Sequence, residues 1–320
     1  MTDGTPDLFA PAPRERGRYR NLVHHESHGF MSAFRWFRDR KPPPWPAVVG
    51  NPPTARPPAR VSGGGLCITL IGHATVLVQV ASLNIITDPI WSERAGPTSW
   101  LGARRSRPPA LDFDDLPPID VVLLSHSHYD HLDRPTLRKL AARDRPRIVT
   151  GLGVGRVVPS GRVAELDWWQ GLQLGDDVAA TYVPAQHFSA RSPFDRNKTL
   201  WGGFVLQTPA GLIYFAGDTG DGPHFAAIRA RFGPLRLALL PIGAYLPRWF
   251  MAAVHIGPRE AADAHATLQT KLTVPIHFDT FRLADDAFGE AVGHFRDIMT
   301  ARGRAHELCV PAFGEPLALD

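Results

Sequence analysis

The chain carries its strongest signal in the stretch Asp120-Val121-Val122-Leu123-Leu124-Ser125-His126-Ser127-His128-Tyr129-Asp130-His131. Its apolar first half has the β-branched and aliphatic residues of a buried strand. Residues two apart on a strand point to the same side, so His126 and His128 are expected to hold one ion together. Asp130 and His131 follow where the chain leaves the strand, and we expect them to turn toward a second ion, as in two-metal hydrolases. Imidazole and carboxylate ligands without thiolate suit zinc, and also manganese or iron.

Three later residues complete a set of ligands for two ions. His187, Asp218 and His277 each follow a strand-like apolar run, and rigid elements place ligands better than free loops do. Asp218 lies between Gly217 and Gly220, which permit a tight turn, and its carboxylate could bridge both ions. A histidine-rich surface loop is the alternative interpretation of the first stretch, and each later residue alone is more often structural. Together the residues predict a dinuclear site.

The amino-acid composition is that of a globular protein with a large core. The chain has 320 residues, of which 44% are hydrophobic and 21% charged, so it can bury a large core. Cys67 and Cys309 are too few for a disulfide framework, which favours a reduced setting. The start of the chain lacks a signal-peptide pattern, and no run approaches the roughly 20 apolar residues of a spanning helix. We therefore expect a cytoplasmic protein, with peripheral membrane association left open. The net charge of +4 favours anionic partners without choosing between nucleic acid and lipid.

Residues 1–62 form a separate zone rich in proline and arginine, and 63–320 form the predicted hydrolase domain. Prolines crowd the second half of this arm, which excludes regular helix or central strand there. Ahead of them, residues 29–41 place Phe30, Phe34 and Phe37 on one helical stripe beside basic residues. The stripe predicts an amphipathic helix that lies on a membrane, on the domain or on a partner subunit.

Strand and helix signals alternate through the domain. Strands are predicted at Cys67–Ile71, Thr75–Val80, Asn84–Thr87, Val121–Ser125, Arg147–Thr150, Phe204–Thr208, Leu212–Ala216, Leu237–Ile242 and Thr273–His277. Helices are predicted at Arg134–Arg143 behind an Asp133 cap, Pro223–Arg231, Pro258–Thr270 and Asp286–Arg302. Early strands form hairpins and later ones alternate with helices, an order that two facing sheets with helices outside would satisfy.

These motifs carry a family resemblance. The His126-x-His128-x-Asp130-His131 signature with the later ligands resembles the metallo-β-lactamase superfamily, which implies an α/β (α+β) fold, a four-layer αββα sandwich. Within about Leu66 to Gly314, longer segments resemble the family of N-acylphosphatidylethanolamine-hydrolysing phospholipases D. These segments are Ile71–Val76, Thr87–Ala95, Leu116–Asp120, Glu165–Trp169, Phe215–Gly220 and Pro241–Met251.

The resemblance implies a cofactor of two zinc ions per chain, with other divalent transition metals as the alternative. The implied ligands are His126, His128 and His187 for one ion, Asp130, His131 and His277 for the other, and Asp218 as the bridge. His255 matches a family histidine that lies near the substrate phosphate. The family's preceding glutamine is Val254 here, which puts polar contacts at that end in doubt.

We predict Asp130, His255 and Asp88 as catalytic residues. Asp88 is expected to orient a metal-bound histidine through its second nitrogen, with His73 beside it on the neighbouring turn. A turn residue before Pro89 and a packing histidine are the respective structural alternatives.

Substrate contacts are predicted at His255 and at the apolar run that contains Trp249, Phe250 and Met251. The run could accept acyl chains, although a buried core segment explains these side chains almost as well. His255 precedes a predicted helix start, where it could meet a phosphate.

The resemblance implies a zinc phosphodiesterase of the phospholipase D type. It would convert N-acylphosphatidylethanolamine-like lipids to phosphatidic acid and N-acylethanolamine through a metal-bridging hydroxide. A hydrolase of another bond, a lactonase or nuclease, is the alternative enzyme, and a non-catalytic binding protein is the third hypothesis. A phospholipid is the expected partner, no nucleic acid is expected, and a homodimer is left open.

Overall fold

Two β-sheets form the centre of the fold in the computed structural model, which describes residues 7–24 and 30–319 apart from the side chains of Phe30 and Ala33. The strands that build these sheets are β1 Leu66–Gly72, β2 Thr75–Val80, β3 Leu83–Thr87, β4 Val121–Leu124, β5 Arg147–Gly151, β6 Arg162–Leu166, β7 Gly171–Gly175, β8 Val178–Val183, β9 Gly203–Thr208, β10 Gly211–Phe215, β11 Leu237–Pro241, β12 Leu272–Ile276 and β13 Pro316–Leu319. Two-residue ladders, Arg14–Glu15 with Arg18–Tyr19 and Arg94–Ala95 with Ala103–Arg104, lie outside them.

The two sheets have related topologies. The first has the order β6-β5-β4-β3-β2-β1-β13, and the second has the order β7-β8-β9-β10-β11-β12. In each sheet a parallel group adjoins an antiparallel group: β3 to β6 are parallel in the first, and β10 to β12 in the second. Strands β1, β3, β4, β8, β10 and β12 all end toward the metal-competent residues that follow them in the chain.

The helices begin and end at α1 Phe30–Asp39, α2 Arg134–Arg143, α3 His224–Phe232, α4 Arg248–Met251, α5 Pro258–Leu268 and α6 Glu290–Ala301. Within the described residues, none of them is both long and apolar enough to cross a bilayer.

The side-chain alternation of β4 shows how the layers are built. Val121 and Leu123 join the large apolar cluster that also contains residues of the second sheet, including Phe204. Val122 and Leu124 join a separate cluster with α2. Since successive strand residues point to opposite faces, β4 is buried on one side by the second sheet and on the other by a helix. Helices α3, α5 and α6 cover the second sheet through the large cluster, which completes the predicted αββα sandwich.

All nine predicted strands overlap observed ones, and α2 occupies the predicted range. Strands β6, β7 and β13 were not predicted, and β8 only as the run before His187. Helix α6 begins four residues later than predicted, because Gly289 adopts a left-handed φ of 78° directly before it. Asp133 occupies the predicted N-cap position of α2, but its side chain does not cap the helix. Its carboxylate accepts hydrogen bonds from the Thr136 and Ser92 hydroxyls and makes none to a helix amide.

The described part of the N-terminal arm contacts the domain along its length. The Trp169 indole donates to the Leu8 carbonyl at 3.0 Å, and Trp45 donates to the Asp286 carbonyl at 2.8 Å. Arg60 pairs with Asp120 at the start of β4. Gly29, the first residue of the predicted amphipathic helix, lies outside the described residues.

Candidate metal centre

The predicted ligands converge at one end of the two sheets. Four strands place them there, because each ligand follows the C-terminal end of its strand. The residues from His126 to His131 follow β4, His187 follows β8, Asp218 follows β10 and His277 follows β12. The predicted supporting residues His73 and Asp88 follow β1 and β3 in the same way. The end of a strand is fixed by its sheet, so the side chains are held by the fold rather than by a free loop.

A first donor set consists of three imidazoles. His128 Nδ1 lies 2.8 Å from His126 Nε2 and 3.2 Å from His187 Nε2. Burial lowers the pKa of His126 and His187 well below the ordinary value, and lowers that of His128 to about 4. All three rings are therefore neutral at physiological pH, the form of imidazole that binds metals.

The ring nitrogens of this set that face away from it are held by the protein. His187 Nδ1 donates to the Val254 carbonyl oxygen at 2.8 Å. His126 Nδ1 lies 2.9 Å from the Ser125 hydroxyl oxygen. Such contacts fix which nitrogen carries the proton and leave the other nitrogen free to bind.

A second donor set surrounds Asp130. Its Oδ2 atom lies 3.3 Å from His131 Nε2, 3.4 Å from His277 Nε2 and 3.0 Å from His73 Nε2. Candidate ligand atoms of these four residues all lie within 4.8 Å of one another. We predicted His73 beside Asp88, behind the ligands. In the structure His73 lies directly against Asp130, within the second donor set.

Asp218 joins the two sets. Its Oδ2 atom lies 3.1 Å from His131 Nε2 and 3.7 Å from His187 Nε2, while Oδ1 lies 3.2 Å from His277 Nε2. The preceding Gly217 has a φ of 60°, and a Cβ there would come within 2.6 Å of the Ser125 Cβ. Glycine is thus needed where the loop carrying Asp218 meets the end of β4.

The second set is a network of opposite charges. Burial opposes ionisation of Asp218, yet His131 and His277 hold its pKa well below the usual range. The pKa of Asp130 is held down against burial chiefly by His131. Burial likewise opposes protonation of His277, but Asp218 and Asp130 raise its pKa to about 9. Burial also opposes protonation of His131, but Asp218 and Asp130 raise its pKa well above the ordinary value.

These groups fit divalent ions. Among the described residues, His131 Nε2, His277 Nε2 and Asp218 Oδ1 are buried atoms without a hydrogen-bond partner. Buried polar atoms rarely stay unsatisfied, and here they point at one another. The carboxylates that hold protons on two imidazoles would favour a divalent cation in their place, since metal binding releases such protons. The donor set of nitrogen and oxygen suits zinc and its neighbours among the transition metals.

Asp88 lies behind the metal-competent residues. Its carboxylate accepts from His131 Nδ1 at 2.6 Å and from the Ser125 amide at 2.7 Å, and the Ser125 hydroxyl also donates to it. Burial raises the pKa of Asp88, and the hydrogen bonds from His131 and Ser125 oppose that rise. Asp88 is placed to fix the orientation of the His131 ring, with Nε2 directed toward Asp130 and Asp218.

Three residues of the centre have backbones in the left-handed region. The φ angles are 52° at His73, 32° at Asp88 and 62° at His277. The His277 amide donates to the His73 carbonyl oxygen at 2.8 Å, and the His73 amide donates to the Thr280 hydroxyl at 2.9 Å. Non-glycine residues adopt such angles only where surrounding contacts impose them, and they cluster at functional sites.

His255 lies beside the first donor set and the bridging carboxylate. Its Nδ1 atom is 4.0 Å from Asp218 Oδ2, and its ring centroid is 5.1 Å from that of His187. Burial lowers the pKa of His255 to about 4. The His255 amide donates to the Met251 carbonyl oxygen, so the loop carrying it is continuous with α4.

The predicted apolar contacts on α4 have different surroundings. Met251 is buried with Trp36 and Ala244, and the Phe250 ring stacks on Trp36 with centroids 5.0 Å apart. Trp249 remains half-exposed. The packing with α1 accounts for Phe250 and Met251, while the Arg35 guanidinium lies 5.7 Å from the Trp249 ring centroid.

The comparison with known families identifies the fold. Residues 83–278 match the family described as Beta-lactamase superfamily domain. The chain belongs to the metallo-β-lactamase superfamily. Igni18, a metallo hydrolase from Ignicoccus hospitalis, has the same fold, with a TM-score of 0.61 over 80% of this chain and 99% of its own at 21% identity. The predicted superfamily and four-layer fold are thus confirmed.

Two relatives in this superfamily are more similar in sequence. The N-acyl-phosphatidylethanolamine-hydrolyzing phospholipase D 1 of Caenorhabditis elegans is 35% identical over 257 residues, which are 75% of this chain and 72% of the nematode protein. An uncharacterized protein of Mycobacterium tuberculosis is 40% identical over 235 residues, or 71% of this chain. The alignment spans only 62% of the mycobacterial protein's length. The predicted resemblance to phospholipases of this type is confirmed.

Sequence reasoning missed an arm residue that supports this metallo-β-lactamase site. Asn21 accepts from the His187 amide at 3.1 Å and donates to the His187 carbonyl oxygen at 2.9 Å. Its Oδ1 also accepts from the Trp201 indole at 2.9 Å. Asn21 thereby pairs with the backbone of a predicted ligand in the way a neighbouring strand would. A lone asparagine in an arm carries no sequence signal for this role.

Three hydroxyls behind the first donor set were also missed. Ser127, Ser189 and Thr199 form a triangle with sides of 2.7, 2.7 and 3.0 Å. The triangle ties the loop of His126 and His128 to the loop that follows His187. Sequence alone does not reveal it, because Ser127 lies 62 and 72 positions from its two partners.

Arg191 braces the same loop of the metallo-β-lactamase site. Its Nη1 atom donates to the carbonyl oxygens of Ser127 and Leu132, each at 2.9 Å. The guanidinium also lies 3.9 Å from the ring centroid of Tyr129, and the Tyr129 hydroxyl donates to the Arg191 carbonyl. These contacts hold both ends of the stretch that carries four predicted ligands.

Proposed function

We propose that the protein is a zinc-dependent phosphodiesterase of the phospholipase D type that hydrolyses N-acylphosphatidylethanolamine-like lipids to phosphatidic acid and N-acylethanolamine. The observation that carries the proposal is the pair of adjoining buried donor sets that share Asp218. The phospholipid class is supported by the likeness to the nematode enzyme, which covers most of both chains. A membrane-embedded substrate also accords with the expected peripheral association.

Seven side chains would hold two zinc ions, three imidazoles around one and three residues around the other, with Asp218 between them. When bound, the two ions would lower the pKa of a water and neutralise charge on the phosphoryl oxygens. Asp130 and Asp218 supply the negative charge that this set of donors needs, and His131 and His277 lie against both of them.

Residues behind the donor atoms would keep the ligand side chains in a fixed orientation during turnover. The Asp88 carboxylate binds His131 Nδ1 and so keeps His131 Nε2 directed into the centre. His73 Nε2 lies 3.0 Å from Asp130 Oδ2 and would hold that carboxylate in place. Preorganised donors and charges avoid reorganisation in the transition state, which is the largest electrostatic advantage of such a site.

His255 is our candidate for contact with the substrate. Its ring is neutral at physiological pH because burial depresses its pKa. A neutral imidazole can donate one hydrogen bond, which suits a phosphoryl oxygen or the departing alcohol oxygen. Trp249, half-exposed on α4, is our candidate for contact with acyl chains, and Phe250 and Met251 pack that helix against α1.

The decisive experiment follows products by mass spectrometry. Metal-loaded protein would be incubated with N-acylphosphatidylethanolamine, RNA and an acylhomoserine lactone in separate reactions, and its metal content measured. We expect about two zinc ions per chain and release of phosphatidic acid with N-acylethanolamine. In water labelled with ¹⁸O, the label should enter phosphatidic acid, since the bond broken joins phosphorus to the ethanolamine oxygen.

His126→Ala is the matched loss variant, and His306→Ala, which changes an exposed histidine, is its control. The first should lose turnover while remaining folded by circular dichroism, and the second should keep it. Cleavage of RNA or lactone with intact lipid would overturn the phospholipase assignment. A folded protein that takes up no divalent ion at all would overturn the metal-dependent reaction.

A further inference from the structure

The surface formed by α1 and α4 exposes large apolar side chains. Met31, Phe34 and Phe37 of α1 are 75%, 54% and 68% exposed, and Trp249 of α4 is 50% exposed. Single exposed apolar residues are ordinary, but aromatic side chains grouped on two touching helices mark an interaction site. We call these four residues the α1–α4 face.

The opposite side of α1 is fixed to the domain. The Trp36 indole donates to Asp285 Oδ2 at 2.7 Å, and Arg40 pairs with the other oxygen of Asp285 at 3.0 Å. Trp36 also stacks on Phe250. The helix therefore has one side that packs on the domain and another on which Phe34 and Phe37 stay more than half exposed, although the Phe37 ring also meets Trp36 edge-on at 5.9 Å.

Basic side chains accompany the apolar ones. Arg35 and Arg38 have side chains 74% and 64% exposed, and Lys41 is exposed just beyond the helix. The Arg35 guanidinium lies 5.7 Å from the Trp249 ring centroid, which places positive charge directly at the α1–α4 face. Asp39 of this helix is paired with Arg38 at 2.6 Å and with Arg35 at 4.0 Å, so one carboxylate faces two guanidinium groups. Apolar rings beside an excess of cations suit the interface of an anionic membrane.

The face continues in two directions. Along α4 it reaches the candidate metal centre, because Arg248 donates to the His255 carbonyl oxygen at 3.0 Å and His255 lies 4.0 Å from Asp218. On another side, Leu283 packs both with the Trp36 cluster and with the base of the hairpin at residues 94–104. The tip of that hairpin exposes Trp100 and Leu101.

We propose that the α1–α4 face docks on a phospholipid surface with anionic headgroups and thereby brings the metal centre to lipids in that surface. The inference rests on the proposed function for its substrate, an N-acylated phosphatidylethanolamine. Such a lipid keeps its phosphate charge and has lost the amine charge to the amide, so it is itself anionic. The exposed arginines complement that charge, and the aromatic rings enter the boundary between headgroups and acyl chains.

Vesicle sedimentation without hydrolysable lipid tests the docking. The metal-loaded protein is mixed with vesicles of phosphatidylcholine alone or of an equimolar mixture with phosphatidylglycerol. We expect binding to the anionic vesicles that weakens as salt is added, and little binding to the neutral ones. The double variant Phe34→Ala/Phe37→Ala should bind the anionic vesicles about tenfold less, since it removes apolar area from the contact.

Phe9→Ala is the matched control. Phe9 is also an exposed phenylalanine, at 46%, but its ring packs on Trp169, away from α1 and α4. Its vesicle binding should equal that of the unchanged protein. Equal binding by the double variant, or an equal loss in the control, overturns the proposal. A further outcome also overturns the proposal: the unchanged protein does not bind vesicles but forms a dimer in solution, and the double variant is monomeric. A second copy of the chain would then cover the α1–α4 face.

Hydrolysis of a water-soluble phosphodiester, bis(p-nitrophenyl) phosphate, separates this inference from the proposed function. The double variant should retain the unchanged protein's rate on that compound, as neither phenylalanine belongs to the site. Vesicle binding without any phosphodiester hydrolysis would support the docking and contradict the phosphodiesterase. Hydrolysis of the phosphodiester without vesicle binding would support the phosphodiesterase and contradict the docking.

Discussion

The metal centre and the α1–α4 face differ in which groups they bury. The centre buries carboxylates and imidazoles that water would otherwise solvate, among them Asp88, His131 and Asp218. The face exposes rings that a core would otherwise bury, among them Phe34 and Trp249. Burying charge and exposing large apolar surface both cost free energy unless a partner compensates.

The two regions therefore imply partners of opposite chemistry. Charge pairs and donor atoms in the centre suit a cation, and rings beside arginines on the face suit an anionic apolar surface. His255 and α4 lie between them, and the His255 amide is bound to the Met251 carbonyl. A substrate with both a phosphate and acyl chains would need both regions, which is the combination that a phospholipid presents.

The largest expected effect comes from removing the charge that joins the two donor sets. Asp218→Asn keeps the size of the side chain but removes a negative charge, so the centre should lose metal and at least about a thousandfold in turnover. Metal analysis and kcat on phospholipid measure both. Asp221→Asn, an exposed neighbour, is the control and should change neither. Full metal content and turnover in Asp218→Asn would show that the two sets do not depend on a shared carboxylate.

Asn21→Ala tests whether the arm belongs to the centre. It removes both hydrogen bonds to the His187 backbone, and loss of such a support should weaken metal affinity about 10- to 100-fold. Competition with a chelator gives that affinity. Asn51→Ala removes another contact between the arm and the domain, to the Pro108 carbonyl, and should leave affinity unchanged. If both variants lost metal equally, Asn21 would act only by attaching the arm.

Ser189→Ala should have a smaller effect, on stability first. It removes a member of the hydroxyl triangle while Ser127 and Thr199 stay 3.0 Å apart, so about 1 kcal/mol of unfolding free energy should be lost. Urea unfolding of the metal-loaded protein measures it. Ser192→Ala changes an exposed serine of the same loop and provides the baseline. If Ser189→Ala and Ser192→Ala had equal free energies of unfolding, the hydroxyl triangle would not stabilise the site.

Trp249→Ala should have the smallest effect on the chemistry. The loss of a half-exposed indole reduces apolar contact with lipid, so KM for the phospholipid should rise several-fold while kcat changes less. Phe194→Ala, which removes another exposed ring, is the comparison and should leave KM unchanged. A fall in kcat without a rise in KM would move Trp249 from lipid contact to the catalytic step.

Much of the site could be predicted from short sequence patterns. Two such patterns are the histidines spaced two apart after the apolar residues of β4 and the glycines around Asp218. Both are local features, and the geometry of the first follows from the two-residue period of a strand. The predicted first set, His126, His128 and His187, converges in the structure. The strands with continuous apolar runs were found for the same reason. Strands β6 and β7 escaped because they are partly exposed edge segments with polar and glycine residues.

Supporting contacts could not be predicted in this way. Asn21 is 166 positions from His187, and Ser127 is 72 from Thr199. Hydrogen bonds between such distant residues depend on how strands are ordered in two sheets, which no local period encodes. Helix α6 shows the same limit on a smaller scale, because only the observed backbone reveals that Gly289 adopts a left-handed angle before the helix begins.

By itself, the amino-acid order determined the superfamily, the strand-end position of each ligand and the amphipathic character of α1, since each depends on residue type and spacing along one segment. Tertiary structure alone decided that Asp218 reaches both donor sets, that His73 lies against Asp130, and that α1 turns Trp36 inward and Phe34 outward. Those outcomes depend on packing between segments far apart in the chain, where the distances that matter are set by whole sheets rather than by neighbouring residues.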